Sequence, residues 1–299
     1  MIEPRVFSRW HKLVAIGVIS FISFAGLEAL AYISNLYQIQ LYLQASGMIY
    51  FFMILWLYFL FDVHYKEESL ISRNLSHYVV LRFKHFLKWE HLRYFQNYLI
   101  LPGILYWGAV ILIGINFQQY KLQQFIIIAT SISLITCYTF FKEVFHKREI
   151  NTNHFIILTY VKLYASWLIY AASLGIIWYY CFSPTIFYLV IFLVTFMLLY
   201  QALFQFAKLS LKHVFYVFII SALLSASSYF VYKLWNVNYF SAGLFMTAVY
   251  NLLWNIFYNK INNTLSGRVL AEQITIFVLI VVMVLGVTNF KARIDRCQF

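Results

Sequence analysis

Residues 247–260 read TAVYNLLWNIFYNK, a run of apolar and aromatic side chains into which Asn251, Asn255 and Asn259 are set four residues apart. A spacing of four repeats one face of an α-helix, so the amides form a ladder along a single stripe, and Thr247 extends it. A helix that is oily all round belongs where its surroundings are apolar, and its polar stripe then turns toward other helices or toward enclosed water. This stretch therefore predicts a bundle of helices in a bilayer.

The rest of the chain agrees. Apolar residues make up 63% of its 299 positions and charged residues 11%, against about 45–50% and about 25% in soluble domains. Phe and Tyr number 31 and 25. Codon bias toward AT-rich triplets enriches Ile, Phe, Tyr, Lys and Asn together, so aromatic abundance alone marks no cofactor box. Apolar runs long enough to cross hydrocarbon recur from end to end. The fold class read from these runs is all-α: a polytopic integral membrane helical bundle.

Hydropathy divides the chain into nine spans, at about 13–33, 45–63, 98–117, 122–141, 155–182, 184–207, 211–233, 238–258 and 268–290, each near the ~20 residues a tilted helix needs. Ser183-Pro184 reads as a capping hydroxyl before a first-turn proline, and Pro102 falls in the opening turn of the third span. Pro4 lies in the N-terminal tail, so no proline is expected in the middle of a span, where it would mark a broken helix. No repeat or linker interrupts the sequence, and residues 1–299 read as a single transmembrane domain.

Lys and Arg are divided sixteen to five between the two sides that these spans define, with Lys162 inside a span. The positive-inside bias places the N-terminus in the cytoplasm and, with nine spans, the C-terminus outside. The basic C-terminal tail is the exception to the pattern. The first apolar run is too long for a cleavable signal peptide and lacks a small-residue cleavage site, so it is expected to act as an uncleaved anchor. The cell (inner) membrane is the expected location. The formal charge of +12 follows mostly from this asymmetry, and no basic block outside the membrane flanks points to nucleic acid.

The longest non-spanning stretch, residues 66–96, reads KEESLISRNLSHYVVLRFKHFLKWEHLRYFQ. On a helical wheel Arg73, His77, Lys84, Lys88 and His91 gather within about 60°, opposite Val79, Val80, Phe83, Phe86 and Leu87. That is an amphipathic interfacial helix on the cytoplasmic side, interrupted by Arg82 and Glu90. Membrane lipids with anionic headgroups are its expected partners, contacted by Arg73, Lys84 and Lys88. Docking on the protein's own cytoplasmic face fits the same pattern.

Polar residues inside spans are few. Glu28, in AGLEALAYIS, is an intramembrane acid about 22 Å from the cytoplasmic end of its helix, able to hold a cation or simply to reach the outer interface. Lys162 lies about 10 Å in from the cytoplasmic boundary, and Gln201, Gln205, Asn251 and Asn255 fall at similar depth on two other spans. These five residues form a candidate polar pocket, or else interhelical hydrogen-bond glue. Ser221, Ser225 and Ser228 read as small residues that allow close helix approach.

Catalytic motifs are missing from the sequence. The chain has two aspartates, Asp62 and Asp295, and contains no GxSxG, HExxH or GxxxxGK[ST]. Cys137, Cys181 and Cys297 have no metal-ligand spacing, and the eight histidines fall in or beside segments assigned to the cytoplasm. No cofactor is implied. In architecture alone, nine helices with an inside N-terminus and a cytoplasmic segment after the second resemble prenyltransferases of the UbiA type. That resemblance implies aspartate-rich Mg²⁺ and diphosphate motifs after the second and sixth helices. Here those stretches read LFDVHYKEES and FAKLSLKHV, so no active-site residue carries over. The expected function is binding or translocation of a small or lipid-like molecule through a cytoplasm-facing polar pocket; a lipid-handling enzyme or a structural subunit of a membrane assembly are the alternatives.

Overall fold

A computed structural model of the chain describes residues 5–36, 38–65, 89–145, 152–180, 182–205, 210–235 and 238–288. These residues form nine α-helices: α1 Arg5–Ser34, α2 Ile39–Tyr65, α3 Trp89–Ile115, α4 Tyr120–Phe145, α5 Thr152–Tyr180, α6 Pro184–Gln205, α7 Leu211–Leu234, α8 Tyr239–Ile261 and α9 Gly267–Val287. Each contains a stretch long and apolar enough to cross a membrane. No strand occurs among the described residues. The protein is a multi-pass integral membrane protein with an all-α fold.

Helix ends follow local chemistry. Pro184 opens α6 behind Ser183, whose Oγ accepts from Thr185 N at 3.4 Å. Ser210 caps α7 by accepting from His213 N at 3.3 Å, Asn238 caps α8 through Phe240 N at 2.9 Å, and Ser266 caps α9 through Val269 N at 3.3 Å. Such caps satisfy amide donors that the first helical turn leaves over. Between α8 and α9 the chain turns through Asn263 at φ 57°, the left-handed region that asparagine tolerates better than most residues.

Several helix ends lie beyond the expected spans: α1 begins at Arg5 and α2 at Ile39, and the largest difference is in the third helix. The third helix begins at Trp89, so residues 89–96, expected at the end of the surface helix, are its first turns. The segment WEHLRYFQN is too polar for a hydropathy window yet continues the same helical backbone. Pro102 therefore lies inside α3 and not in its opening turn. It has no N–H to give the carbonyl of buried Tyr98, four residues earlier. The remainder of the expected surface helix, with Arg73, Lys84 and Lys88, lies outside the described residues.

The contacts group the chain into two compact units. One comprises Met1–Tyr106 with Phe117–Val161, the other Trp107–Asn116 with Lys162–Phe299. In the first, α1 packs on α2 and α4. Ile19, Leu27, Leu30, Met53, Leu57, Leu134 and Phe141 are fully enclosed there. Tyr106 OH donates to Ser46 O at 2.8 Å, and the Tyr106 ring stacks on Tyr50 at 5.4 Å.

In the second unit α6 packs on α7, and α8 packs on α7 and α9. The tightest approach is between α5 and α8. A Cβ on Gly243 would stand 2.8 Å from both the amide nitrogen and the Cβ of Ala171, so only glycine lets the two backbones come this close. Lys260 Nζ lies over the Tyr216 ring at 5.2 Å, linking the end of α8 to the start of α7. Helix α9 is different in kind: 6% of its spanning window is buried, and Val284 is its one buried residue.

Candidate functional site

The asparagine ladder of α8 is a chain of hydrogen bonds. Asn255 Nδ2 donates to Asn251 Oδ1 at 3.2 Å. Asn259 Nδ2 donates to Asn255 O at 2.8 Å. Thr264 Oγ1 donates to Asn259 Oδ1 at 2.9 Å, and Thr264 N to Asn259 O at 2.9 Å. The last rung thus fastens the end of α8, where helix carbonyls need partners. Among the described residues, Asn251 Nδ2 and Asn255 Oδ1 make no hydrogen bond. Both side chains are half-buried.

Helix register relates these amides to the other candidates. Ser166 Oγ of α5 lies 3.5 Å from Thr247 Oγ1 of α8, close to the Gly243–Ala171 contact. The two helices run antiparallel. Lys162 is one turn before Ser166 and Asn251 one turn after Thr247, so the pair stand at one level. One turn after Ser166 on α5, the hydroxyls of Tyr170 and of Thr195 on α6 are 2.8 Å apart. From that pair Lys162 lies about 12 Å and Gln201 about 9 Å along their helices in the same direction. Lys162 is 5% exposed and Gln201 0%. The side chain of Gln205, which ends α6, lies outside the described residues.

Burial of an ammonium among apolar helices is costly unless polar groups surround it. The arrangement can therefore do one chemically definite thing: hold polar atoms within a hydrocarbon environment. Reactive groups are sparse. Among the described residues no three His, Cys, Asp or Glu side chains are placed to hold a metal ion. His154 stacks on Phe140 at 4.5 Å, and His213 Nδ1 lies 2.9 Å from Ser210 Oγ in the α7 cap.

Glu28 belongs to the first unit. It is half-buried on α1, and its Oε2 accepts from Gln124 Nε2 of α4 at 3.0 Å. The neighbouring Gln123 Nε2 donates to Ser34 Oγ at 3.0 Å. Further along the same seam Ser23 Oγ and Tyr138 OH are 3.1 Å apart.

Several polar contacts were not visible in the sequence. Tyr239 OH donates to Asn116 Oδ1 at 2.7 Å, Trp167 Nε1 to Phe240 O at 3.2 Å, and Ser225 Oγ to Tyr188 O at 2.8 Å. Each joins residues of different segments, the first two far apart in the chain and the third on the consecutive helices α7 and α6. The one available signal was that Ser225 shares a stripe with Ser221 and Ser228, and that stripe indicates only a packed face. No protein-family model, curated protein or solved structure matches the chain.

Proposed function

We propose that the second unit binds a small or lipid-like molecule, and carries it into or across the bilayer, at a polar pocket made by Lys162, Gln201, Gln205, Asn251 and Asn255. The observation that carries this reading is that buried Lys162 and the Asn251 amide donor left over by the ladder stand at one level of adjacent helices. A ladder serving only to tie α8 to its neighbours would direct its outer atoms into interhelical bonds, as Ser225 and Tyr239 do. A pocket keeps donors and acceptors for a guest. The excess of Lys and Arg on the side of the N-terminus supports an opening toward the cytoplasm.

Single-cysteine labelling tests the pocket. Cys137, Cys181 and Cys297 are replaced by Ala, and Asn251→Cys, Leu252→Cys, Leu253→Cys and Asn255→Cys are introduced singly. A small water-soluble thiol reagent applied to the cytoplasmic face of inverted vesicles should modify the first and last and leave the middle two intact. The reason is that a thiol must ionise to react, and thiolate formation is prohibitive in hydrocarbon. Silence at all four positions in folded protein means that no water reaches the ladder, and the pocket reading fails.

A further inference from the structure

The seam between α1 and α4 carries a second polar file. Buried serines and threonines among the described residues nearly always return their proton to a carbonyl three or four residues back, as Ser23, Ser46, Ser173, Ser221 and Thr247 do. That habit removes the cost of a hydroxyl in hydrocarbon. Among the described residues, the two buried serine or threonine hydroxyls with no hydrogen-bond partner are Ser20 on α1 and Ser131 on α4. Ser20 stands three residues before Ser23 on α1, and Ser131 seven residues before Tyr138 on α4.

Ser131 is 5% exposed, and its position shows what it faces. Gln124, Ser131 and Tyr138 recur every seven residues, which keeps them within about 20° per step on one stripe of α4. The two outer members bond α1, through Glu28 at 3.0 Å and Ser23 at 3.1 Å. Helix periodicity puts Ser131, between them, on the face that meets the same helix. Glu28, Ser131, the Ser23–Tyr138 pair and Ser20 thus follow one another inward from the Gln123–Ser34 bond, with about 21 Å of helix between Gln124 and Tyr138.

We propose that this seam admits water and a monovalent alkali cation from the Ser34 end, with Glu28 as the charged group that selects for it and the Ser131 hydroxyl as a neutral oxygen farther in. Carboxylate, amide and hydroxyl oxygens are hard ligands suited to hard cations. One carboxylate balances one positive charge; a divalent ion would be left with an excess charge in hydrocarbon. Lys121, three residues before Gln124, is exposed, so solvent screens its opposing charge.

Two measurements on the full chain test this. First, with the three native cysteines replaced by Ala, Ser131→Cys is treated with aminoethyl- or sulfonatoethyl-methanethiosulfonate. The cationic reagent should react at least about tenfold faster, the range expected of a cleft lined by one sign of charge. Adding Glu28→Gln should bring the two rates together. Second, sodium, compared with choline, should raise the thermal midpoint of the protein with native cysteines. Ser131→Ala should shift the half-saturating sodium concentration upward at least fivefold, and Glu28→Gln should abolish the response. A silent Ser131→Cys, equal rates for both reagents, or a sodium response unchanged in Ser131→Ala would each overturn the proposal. The Ser131→Ala measurement keeps it testable if Glu28→Gln does not fold.

Discussion

Gly243 is the residue where a single atom matters most. Any Cβ there meets the backbone of Ala171, which cannot swing aside as a side-chain tip can. Gly243→Ala should therefore lower stability by about 1–3 kcal/mol, the usual range for overpacking. Gly17→Ala and Gly47→Ala, where nothing stands within 4 Å, should be neutral or gain up to about 1 kcal/mol from helix propensity. Thermal melting of the purified protein compares the three. The Tyr170–Thr195 bond makes a milder case. Tyr170→Phe and Thr195→Val should each cost about 0.6–2 kcal/mol, and a double-mutant cycle should show them coupled. The sequence reading did not single out this glycine, although a weak signal was there. Gly243 and Thr247 on α8, and Ala171 and Gly175 on α5, have the four-residue spacing of small residues that permits helix contact. Which stripe meets which was not legible, because hydropathy carries no distance between residues seventy positions apart. The same holds for Glu28. Its place on a span could be read, but Gln124 as its partner could not.

Among the helices, burial separates structural spans from peripheral ones. Leu279 and Met283 of α9 are 58% and 70% exposed, whereas Leu174 of α5 and Leu198 of α6 are fully buried. Lipid tails are as apolar as leucine, so truncating an exposed side chain loses almost nothing, and truncating a packed one leaves a cavity. Leu279→Ala and Met283→Ala should stay within about 0.5 kcal/mol of the parent, and Leu174→Ala or Leu198→Ala should cost about 2 kcal/mol or more. Equal losses on α9 would mean that its outer face is covered in the membrane. The segment before α3 invites a separate test. A peptide of residues 66–88 should bind anionic vesicles in preference to neutral ones, and changing Arg73, Lys84 and Lys88 together to Gln should remove the preference. The position of each span was readable from hydropathy, and most of its ends to within a few residues. The start of α3 was not, since its first turns are aromatic and basic and resemble an interface more than a crossing.

For the molecule as a whole, the sequence predicted its class through composition and recurring apolar runs, and the nine apolar helices among the described residues agree with that reading. Orientation rests on charge. If sixteen of the Lys and Arg residues face the cytoplasm, a membrane-impermeant thiol reagent should label Cys297 in intact cells carrying Cys137→Ala and Cys181→Ala. Labelling only after permeabilisation would place the C-terminal tail inside and remove one crossing from the count. The turn at Asn263 has a bearing on how the chain is made. Only five residues separate α8 from α9, and Thr264 locks them to the last rung of the ladder. By hydropathy α8 is the least apolar of the nine candidate spans and α9 the most. During synthesis α8, with its three asparagines, is a poor substrate for lateral exit from the translocation channel, and α9 is a very good one. A hairpin with so short a connection leaves the channel as a pair, so α9 supplies the partitioning free energy that its partner lacks. A helix that contributes little to the packed protein would then be indispensable to its biogenesis, and ending the chain at Ile261 would strand α8 outside the bilayer although only the sparse contacts of α9 had been removed.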